Sequence, residues 1–209
     1  MEQKQRLQIN RMDFYLVSFI GASFALFSIP ILLNLEISPV PVSALNILLL
    51  MLFFVFFANI ALGIAALISK FVPIIFQIAK FAAVGAFNTF LDWGVLNLLI
   101  VITGIADGIG FSLFKGTSFI LAAISAYFWN KYWTFNSKEK TSKQEVGRFI
   151  SVSIIGFIIN VALASLIIFI FHKTTAITPE QLANVAAACA TLASLVWNFL
   201  GYKLFVFKK

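Results

Sequence analysis

Residues Leu48–Phe57 read LLLMLFFVFF, a run of ten apolar side chains without a charged group. The run lies inside a longer apolar segment, residues 43–69. A hydrocarbon core of about 30 Å is crossed by about 20 helical residues, and a helix satisfies its own backbone hydrogen bonds in lipid. This segment therefore predicts a membrane-spanning helix.

Further apolar segments lie on both sides of it, at residues 14–35, 81–103, 114–130, 149–171 and 182–202. The 209-residue chain is 61% hydrophobic and 11% charged, whereas soluble domains are about 25% charged. Its mean hydropathy is +1.00. We therefore predict an all-α fold, a polytopic membrane helix bundle with six transmembrane helices.

The basic residues predict the orientation of this bundle, because short loops rich in Lys and Arg stay in the cytoplasm. With the N-terminus inside, 13 of the 15 basic residues fall on the cytoplasmic side, including Lys4, Arg6 and Lys209. Only Lys115 and Lys173 fall outside. We expect a multi-pass plasma-membrane protein with both termini cytoplasmic, whose basic face meets anionic membrane lipid. The net charge of +7 then needs no nucleic-acid partner.

An internal repeat relates residues 80–130 to residues 148–198 at a constant offset of 68. Small residues spaced four apart lie on one helix face and let helices approach closely. The repeat matches such residues, and polar or aromatic ones, in pairs: Ser118, Ala122 and Ala126 with Ala186, Ala190 and Ser194, Asp92 with Asn160, and Trp129-Asn130 with Trp197-Asn198. Each copy holds two helices and starts on the same side of the membrane. The last four helices are therefore predicted to form a parallel two-helix duplication.

Four ordered blocks within residues 77–207 carry a family resemblance. They are KFAAVGAFNTFLD at 80–92, SAYFWNKYWTF at 125–135, Arg148-Phe149 with Gly156 and Asn160, and the ending WNF with YKLFVF at 197–207. The chain resembles the GtrA-like family of small polytopic membrane proteins linked to lipid-carried sugars. The resemblance implies a four-helix domain at 77–209 and leaves a two-helix extension at 1–76 outside it. The pair Tyr202-Lys203 departs from the Asn-basic pair that the family pattern has there.

The resemblance implies a function in translocation. A polyprenyl-phosphate-linked sugar, or polyprenyl phosphate itself, would be flipped across the bacterial plasma membrane during cell-surface polysaccharide or wall-polymer glycosylation. A polyprenyl-phosphate lipid is then the expected partner, and a membrane glycosyltransferase and a second copy of the chain are candidate partners. Two alternatives stay open: a non-transporting subunit that docks or stabilises a polyprenyl-phosphate glycosyltransferase, and a small proton-coupled cation exporter.

Basic residues at the predicted inner helix ends are candidates for the phosphate end of the lipid. Arg can bind phosphate oxygens bidentately, whereas Lys acts as a point charge. The candidates are Lys80, Lys131, Arg148 and Lys203. The alternative is that they are ordinary cytoplasmic anchors of the helices.

Polar side chains within the apolar segments are candidates for a groove that accepts sugar hydroxyls. Asp92 is the clearest, because an ionised side chain at mid-helix costs about 2.5–3.5 kcal/mol and should face the bundle or a wet cavity. The other members are Asn88, Asn130, Asn160 and Asn198. Trp129 and Trp197 are candidates for stacking on the sugar. The alternatives are an interhelical hydrogen-bond clamp for the polar residues and a place in the interfacial aromatic belt for the tryptophans.

No sequence signature of catalysis accompanies these residues. The chain contains no phosphate-cradling glycine loop between a strand and a helix, and no paired catalytic carboxylates. With one Cys and one His it offers no metal-ligand cluster. We therefore expect no enzymatic activity, no cofactor and no metal.

Overall fold

The computed structural model of the protein describes residues 10–34, 41–171 and 179–208. In this part of the chain, six helices are long and apolar enough to cross a membrane, and no strand is present. The helices are α1 (Arg11–Asn34), α2 (Ala44–Ile68), α3 (Ile74–Thr103), α4 (Gly108–Trp129), α5 (Lys143–Phe171) and α6 (Pro179–Gly201). The prediction of an all-α, multi-pass membrane protein is confirmed. Lys4, Arg6, Lys173 and Lys209, which the predicted topology uses, lie outside the described residues.

Three helices begin six or seven residues before their apolar segments. α3 starts at Ile74 and α5 at Lys143, so both include polar residues ahead of the predicted spans at 81 and 149. Hydrophobicity marks the part of a helix in lipid, whereas the helix itself continues into the interface. The start of α4 at Gly108 corrects the predicted start at 114, and it moves Lys115 from the outer end of the helix to its third turn.

The chain divides into two compact units, Met1–Asn136 and Ser137–Lys209. In the first unit α1 packs against both α2 and α3. α1 approaches α2 closely at Gly21, because a Cβ atom there would lie 2.7 Å from the carbonyl oxygen of Phe54. Buried apolar side chains of α1, α2 and α3, among them Ile20, Leu62 and Val84, form the core. The predicted boundary after residue 76 thus falls inside the first unit.

The second unit is an antiparallel pair of helices, α5 and α6. Phe149 near the start of α5 stacks on Tyr202 after the end of α6, with ring centroids 4.7 Å apart. Gly156 further along α5 lies against Asn198, since a Cβ at Gly156 would overlap the Asn198 side chain. The small residue therefore permits the close approach of the two helices.

Each unit ends its last helix in a π-helical turn. The first π turn, Asn130–Thr134, follows α4, and the second π turn, Tyr202–Val206, follows α6. Both close with the same i→i+5 backbone hydrogen bond of 2.8 Å, from Phe135 N to Asn130 O and from Phe207 N to Tyr202 O. The turns begin at residues 130 and 202, a spacing of 72. The constant offset of 68 therefore does not hold at these helix ends, where the second unit has four more residues, about one helical turn.

Candidate functional site

Two opposite charges meet inside the membrane-spanning helices of the first unit. Lys115 Nζ of α4 forms an ion pair with Asp92 Oδ2 of α3. The Ser118 hydroxyl donates to Asp92 Oδ1 at 2.6 Å. At about 1.5 Å per helical residue, Asp92 lies about 16 Å before the end of α3 and Lys115 about 10 Å after the start of α4. The Asp92–Lys115–Ser118 cluster is thus more than one turn inside both spans.

The two charges of this cluster differ in exposure. The Asp92 side chain is 17% exposed, whereas that of Lys115 is 42% exposed. A lysine ammonium carries three N–H donors. Within the described part of the chain, Asp92 is the side-chain acceptor that Lys115 contacts. The remaining donors therefore have no acceptor among the described residues, and the side chain that carries them is partly exposed.

Asn88 lies one turn before Asp92 on the same face of α3. Its side chain is buried, and Nδ2 donates to the Val84 carbonyl oxygen at 2.7 Å. Its Oδ1 has no hydrogen-bond partner among the described residues. A buried acceptor without a partner costs about 1–3 kcal/mol. The interior of α3 beside the ion pair therefore has unused capacity to accept a hydrogen bond.

Lys80 belongs to a different ion pair. Its ammonium is already bound to a carboxylate in place of a lipid phosphate. Its Nζ lies 2.5 Å from Asp13 Oδ1 of α1, and both residues are buried. The Trp133 indole donates to the same carboxylate oxygen at 2.9 Å, and the Asn10 backbone N–H donates to Asp13 Oδ2 at 2.9 Å. The predicted phosphate contact at Lys80 is thus occupied by a carboxylate from the N-terminal extension.

The first π turn holds two more predicted site residues. The Lys131 side chain is fully buried, with Nζ 3.5 Å from the Tyr127 hydroxyl and 5.9 Å from the Tyr132 ring centre. Asn130 Nδ2 donates to the Ala126 carbonyl oxygen at 2.8 Å, and its buried Oδ1 has no partner among the described residues. Lys131 is therefore buried beside aromatic side chains at the end of α4 and is not exposed there.

Arg148 and Lys203 remain as accessible basic candidates in the second unit. Arg148 is exposed, and its Nη1 donates to the Phe205 carbonyl oxygen in the second π turn at 3.4 Å. Lys203 in the same turn is half-buried, with Nζ 5.7 Å from the Phe199 ring centre. The structure thus brings Arg148 to the turn that contains Lys203, and their role at the phosphate end stays a prediction.

The polar candidates of the second unit are uncharged. Asn160 Nδ2 lies 3.4 Å from both Thr191 Oγ1 and Ser194 Oγ of α6. Thr191 and Ser194 are three apart on α6, as Lys115 and Ser118 are on α4, so Asp92 and Asn160 each contact two residues on one face of the following helix. The Asn198 Oδ1 is buried without a partner among the described residues.

The two tryptophan candidates have different surroundings. Trp129 is stacked on Phe19 of α1 at 6.1 Å between ring centres and meets Phe87 of α3 edge to face at 5.6 Å. Trp197 donates its indole N–H to the Val152 carbonyl oxygen of α5 at 3.1 Å. Both rings are engaged in packing, and a sugar would have to use a remaining ring face.

Sequence reasoning missed Lys115, Ser118 and Asp13. Lys115 was assigned to the outer end of α4 because the apolar segment begins at 114. The available signal was the pair of opposite charges on two helices that a short loop makes antiparallel neighbours. Asp13 precedes the first apolar segment directly, and nothing in the sequence indicates that its partner is Lys80.

Comparisons with known proteins give one family match and one similar protein. The family model described as GtrA/DPMS, transmembrane domain, matches residues 80–207. The chain is also similar to the uncharacterized membrane protein YngA of Bacillus subtilis (strain 168), with 27% identity over 131 residues, 62% of this chain and 78% of that protein. The matched residues contain most of α3, all of α4 to α6, both π turns and the Asp92–Lys115–Ser118 cluster. Because the family match covers more than half of its residues, the chain belongs to the GtrA/DPMS transmembrane domain family.

Proposed function

We propose that this protein translocates a polyprenyl-phosphate-linked sugar, or polyprenyl phosphate itself, across the bacterial plasma membrane for cell-surface polysaccharide or wall-polymer glycosylation. The Asp92–Lys115–Ser118 cluster is the observation that carries the proposal. The lipid has an apolar tail that can stay in the bilayer, whereas its phosphate and sugar need a polar path. A half-exposed ammonium, a carboxylate and a hydroxyl inside the spans offer such a path.

Two further features support a lipid-phosphate substrate. Buried amide oxygens at Asn88, Asn130 and Asn198 have no partners among the described residues, so they would accept hydrogen bonds from sugar hydroxyls once a helix movement exposes them. Arg148 and Lys203 offer positive charge near the second π turn. Family membership supports the same substrate class, and the proposal requires no covalent step.

Movement of lipid in a purified system tests the proposal. The full chain would be reconstituted in liposomes that contain a polyprenyl phosphate carrying one hexose, and the labelled lipid reached by a membrane-impermeant reagent would be measured. We expect this accessible fraction to rise from the outer-leaflet share to nearly all of the lipid. Liposomes with the Asp92→Asn protein are the control for the role of the cluster. An accessible fraction that is the same with wild-type protein as in protein-free liposomes would refute the proposal.

A second candidate is a subunit that docks a polyprenyl-phosphate glycosyltransferase. It is favoured by an exposed stripe of small residues on α3, where Gly85 has open space around its Cα. The other members of the stripe are Ala82, Ala86 and Thr89. Co-purification with a glycosyltransferase, together with no lipid movement in liposomes, would favour this candidate. The cation-exporter alternative is weaker, because Lys115 already occupies the Asp92 carboxylate.

A further inference from the structure

We propose that Lys115 is the cation of an isoprenoid-phosphate binding site within the first unit, and that the phosphate replaces Asp92 as the partner of its ammonium. This inference rests on the proposed function for its ligand class. The inference identifies the residue that binds the phosphate. Lys115 is not one of the basic residues that the sequence predicts for the phosphate end.

The contrast between the two ion pairs of α3 supports this site. In the Asp13–Lys80 pair both side chains are buried, at 7% and 10% exposed, and Trp133 donates a hydrogen bond to the carboxylate. We expect such burial of an ion pair that serves only to join helices. The Lys115 side chain is instead 42% exposed, although it lies inside a span. A phosphate oxygen can therefore approach the exposed Lys115 side chain and take the place of the Asp92 carboxylate as its charged acceptor.

The neighbouring surface suits the tail of such a lipid. Phe119 lies one turn after Lys115 on the same face of α4 and is 63% exposed. Trp93 follows Asp92 on α3 and is 52% exposed. An isoprenoid chain can lie against these apolar side chains while its phosphate meets the ammonium. The site thus combines a cation with an apolar surface of its own.

The position of the cluster along both helices suits a phosphate that is crossing the bilayer. Lys115 lies about 10 Å along α4 from Gly108, and its partner Asp92 lies about 16 Å before the end of α3. A phosphate that crosses the bilayer must pass the depth of Lys115. When it binds the ammonium, Ser118 can keep its hydrogen bond to Asp92 Oδ1. The displaced carboxylate then repels the phosphate, which favours release and prevents a trapped complex.

Binding measurements on the purified full chain in detergent test the site. A tritiated polyprenyl phosphate is the probe, and the competitors are farnesyl phosphate, farnesol, phosphatidylglycerol and inorganic phosphate. We expect Lys115→Gln to weaken probe binding at least about tenfold, which corresponds to about 1.4 kcal/mol. Lys115→Arg should bind the probe, because Arg keeps the charge. Asp92→Asn should tighten binding, because it removes the competing carboxylate.

Two controls separate binding from folding. Lys70→Gln removes an exposed cation from the same unit and should leave affinity unchanged. The double variant Asp92→Asn/Lys115→Gln leaves no unpaired charge in the cluster and should still bind as weakly as Lys115→Gln. Unchanged affinity in a folded Lys115→Gln protein would overturn the proposal, and so would weaker binding by Asp92→Asn.

The competitors identify the source of the phosphate. Farnesyl phosphate should compete, whereas farnesol should not. Equal competition by phosphatidylglycerol would mean a general anionic-lipid contact, and equal competition by inorganic phosphate would mean that the tail is not recognised; either result overturns the proposed site. Lys115-dependent binding without movement in liposomes would refute translocation but keep the site. Normal movement by Lys115→Gln would refute the site but keep translocation.

Discussion

Replacing Asp13 with Asn tests whether the N-terminal extension stabilises the first unit through charge. Asp13 and Lys80 are 5% and 8% exposed, and their side chains meet at 2.5 Å. Asn keeps the shape of Asp and can still accept the Trp133 indole, so the substitution mainly leaves the Lys80 ammonium without its anion. Loss of one partner of a buried ion pair costs about 3–5 kcal/mol. We expect about 3 kcal/mol, since Asn keeps one hydrogen bond.

The measurement is thermal unfolding of the purified protein in detergent, followed by tryptophan fluorescence, because Trp133 touches the substituted group. At about 2–4 °C per kcal/mol for chains of this length, the expected fall in Tm is about 6–12 °C. Asp107→Asn is the matched control. Asp107 is exposed at the start of α4 and its side chain makes no capping hydrogen bond, so Tm should not change.

A Tm for Asp13→Asn equal to that of the wild type would refute the reasoning. The double variant Asp13→Asn/Lys80→Met provides a second check, because neutral side chains of similar volume can replace a buried ion pair at little cost. It should recover most of the lost stability. A double variant as unstable as the single one would show that the uncompensated lysine charge is not the cause.

The remaining predictions concern helix packing, the second unit and the topology. Gly21→Ala should destabilise the protein by about 1–3 kcal/mol in thermal unfolding, because its Cβ would overlap the α2 backbone at Phe54, whereas Gly63→Ala has open space and should be neutral or slightly stabilising. Arg148→Gln should slow lipid movement in liposomes more than Lys138→Gln, because Arg148 contacts the second π turn; equal effects would mean that only bulk surface charge matters. Cysteines at Asp107 and Lys138, in a background without the native cysteine, should label from opposite sides of intact cells, and labelling from one side would refute the positive-inside topology.

The six spans could be predicted from the sequence because length and hydrophobicity alone decide which segments can cross lipid. The ends of the helices could not be predicted in this way. α3 continues back to Ile74 and α5 to Lys143, since polar residues at the interface stay helical without adding to the apolar signal. The π turns at residues 130 and 202 have no hydrophobic signature. Their spacing of 72 explains why a constant offset of 68 matched the helices but not their ends.

A site residue could be predicted from the sequence where a charged side chain stands in an apolar segment. Asp92 stands out because a carboxylate in an apolar run is costly wherever it has no partner. Its partner Lys115 could not be recognised from an apolar segment that begins next to it. Lys80 and Lys131 show the converse, because basic residues near helix ends are predicted to face the lipid phosphate without any signal of how buried they are. Both are buried, and tertiary contacts that connect distant parts of the sequence decide this.

The two ion pairs of α3 separate structural charge from charge that can act on a ligand. Both have a lysine within hydrogen-bonding reach of an aspartate, and sequence alone gives no reason to rank one above the other. The exposure of the lysine side chains distinguishes the two pairs. Lys80 is 10% exposed, and its partner carboxylate also accepts from Trp133. Lys115 is 42% exposed, and its ammonium has N–H donors without an acceptor among the described residues. Removing one partner of the Lys80 pair should therefore lower stability. Removing the Lys115 charge should instead weaken lipid binding, and the Asp92→Asn/Lys115→Gln variant, which removes both charges of that pair, should leave stability nearly intact. Lys80 thus supports the fold of the first unit, whereas Lys115 supports its proposed function.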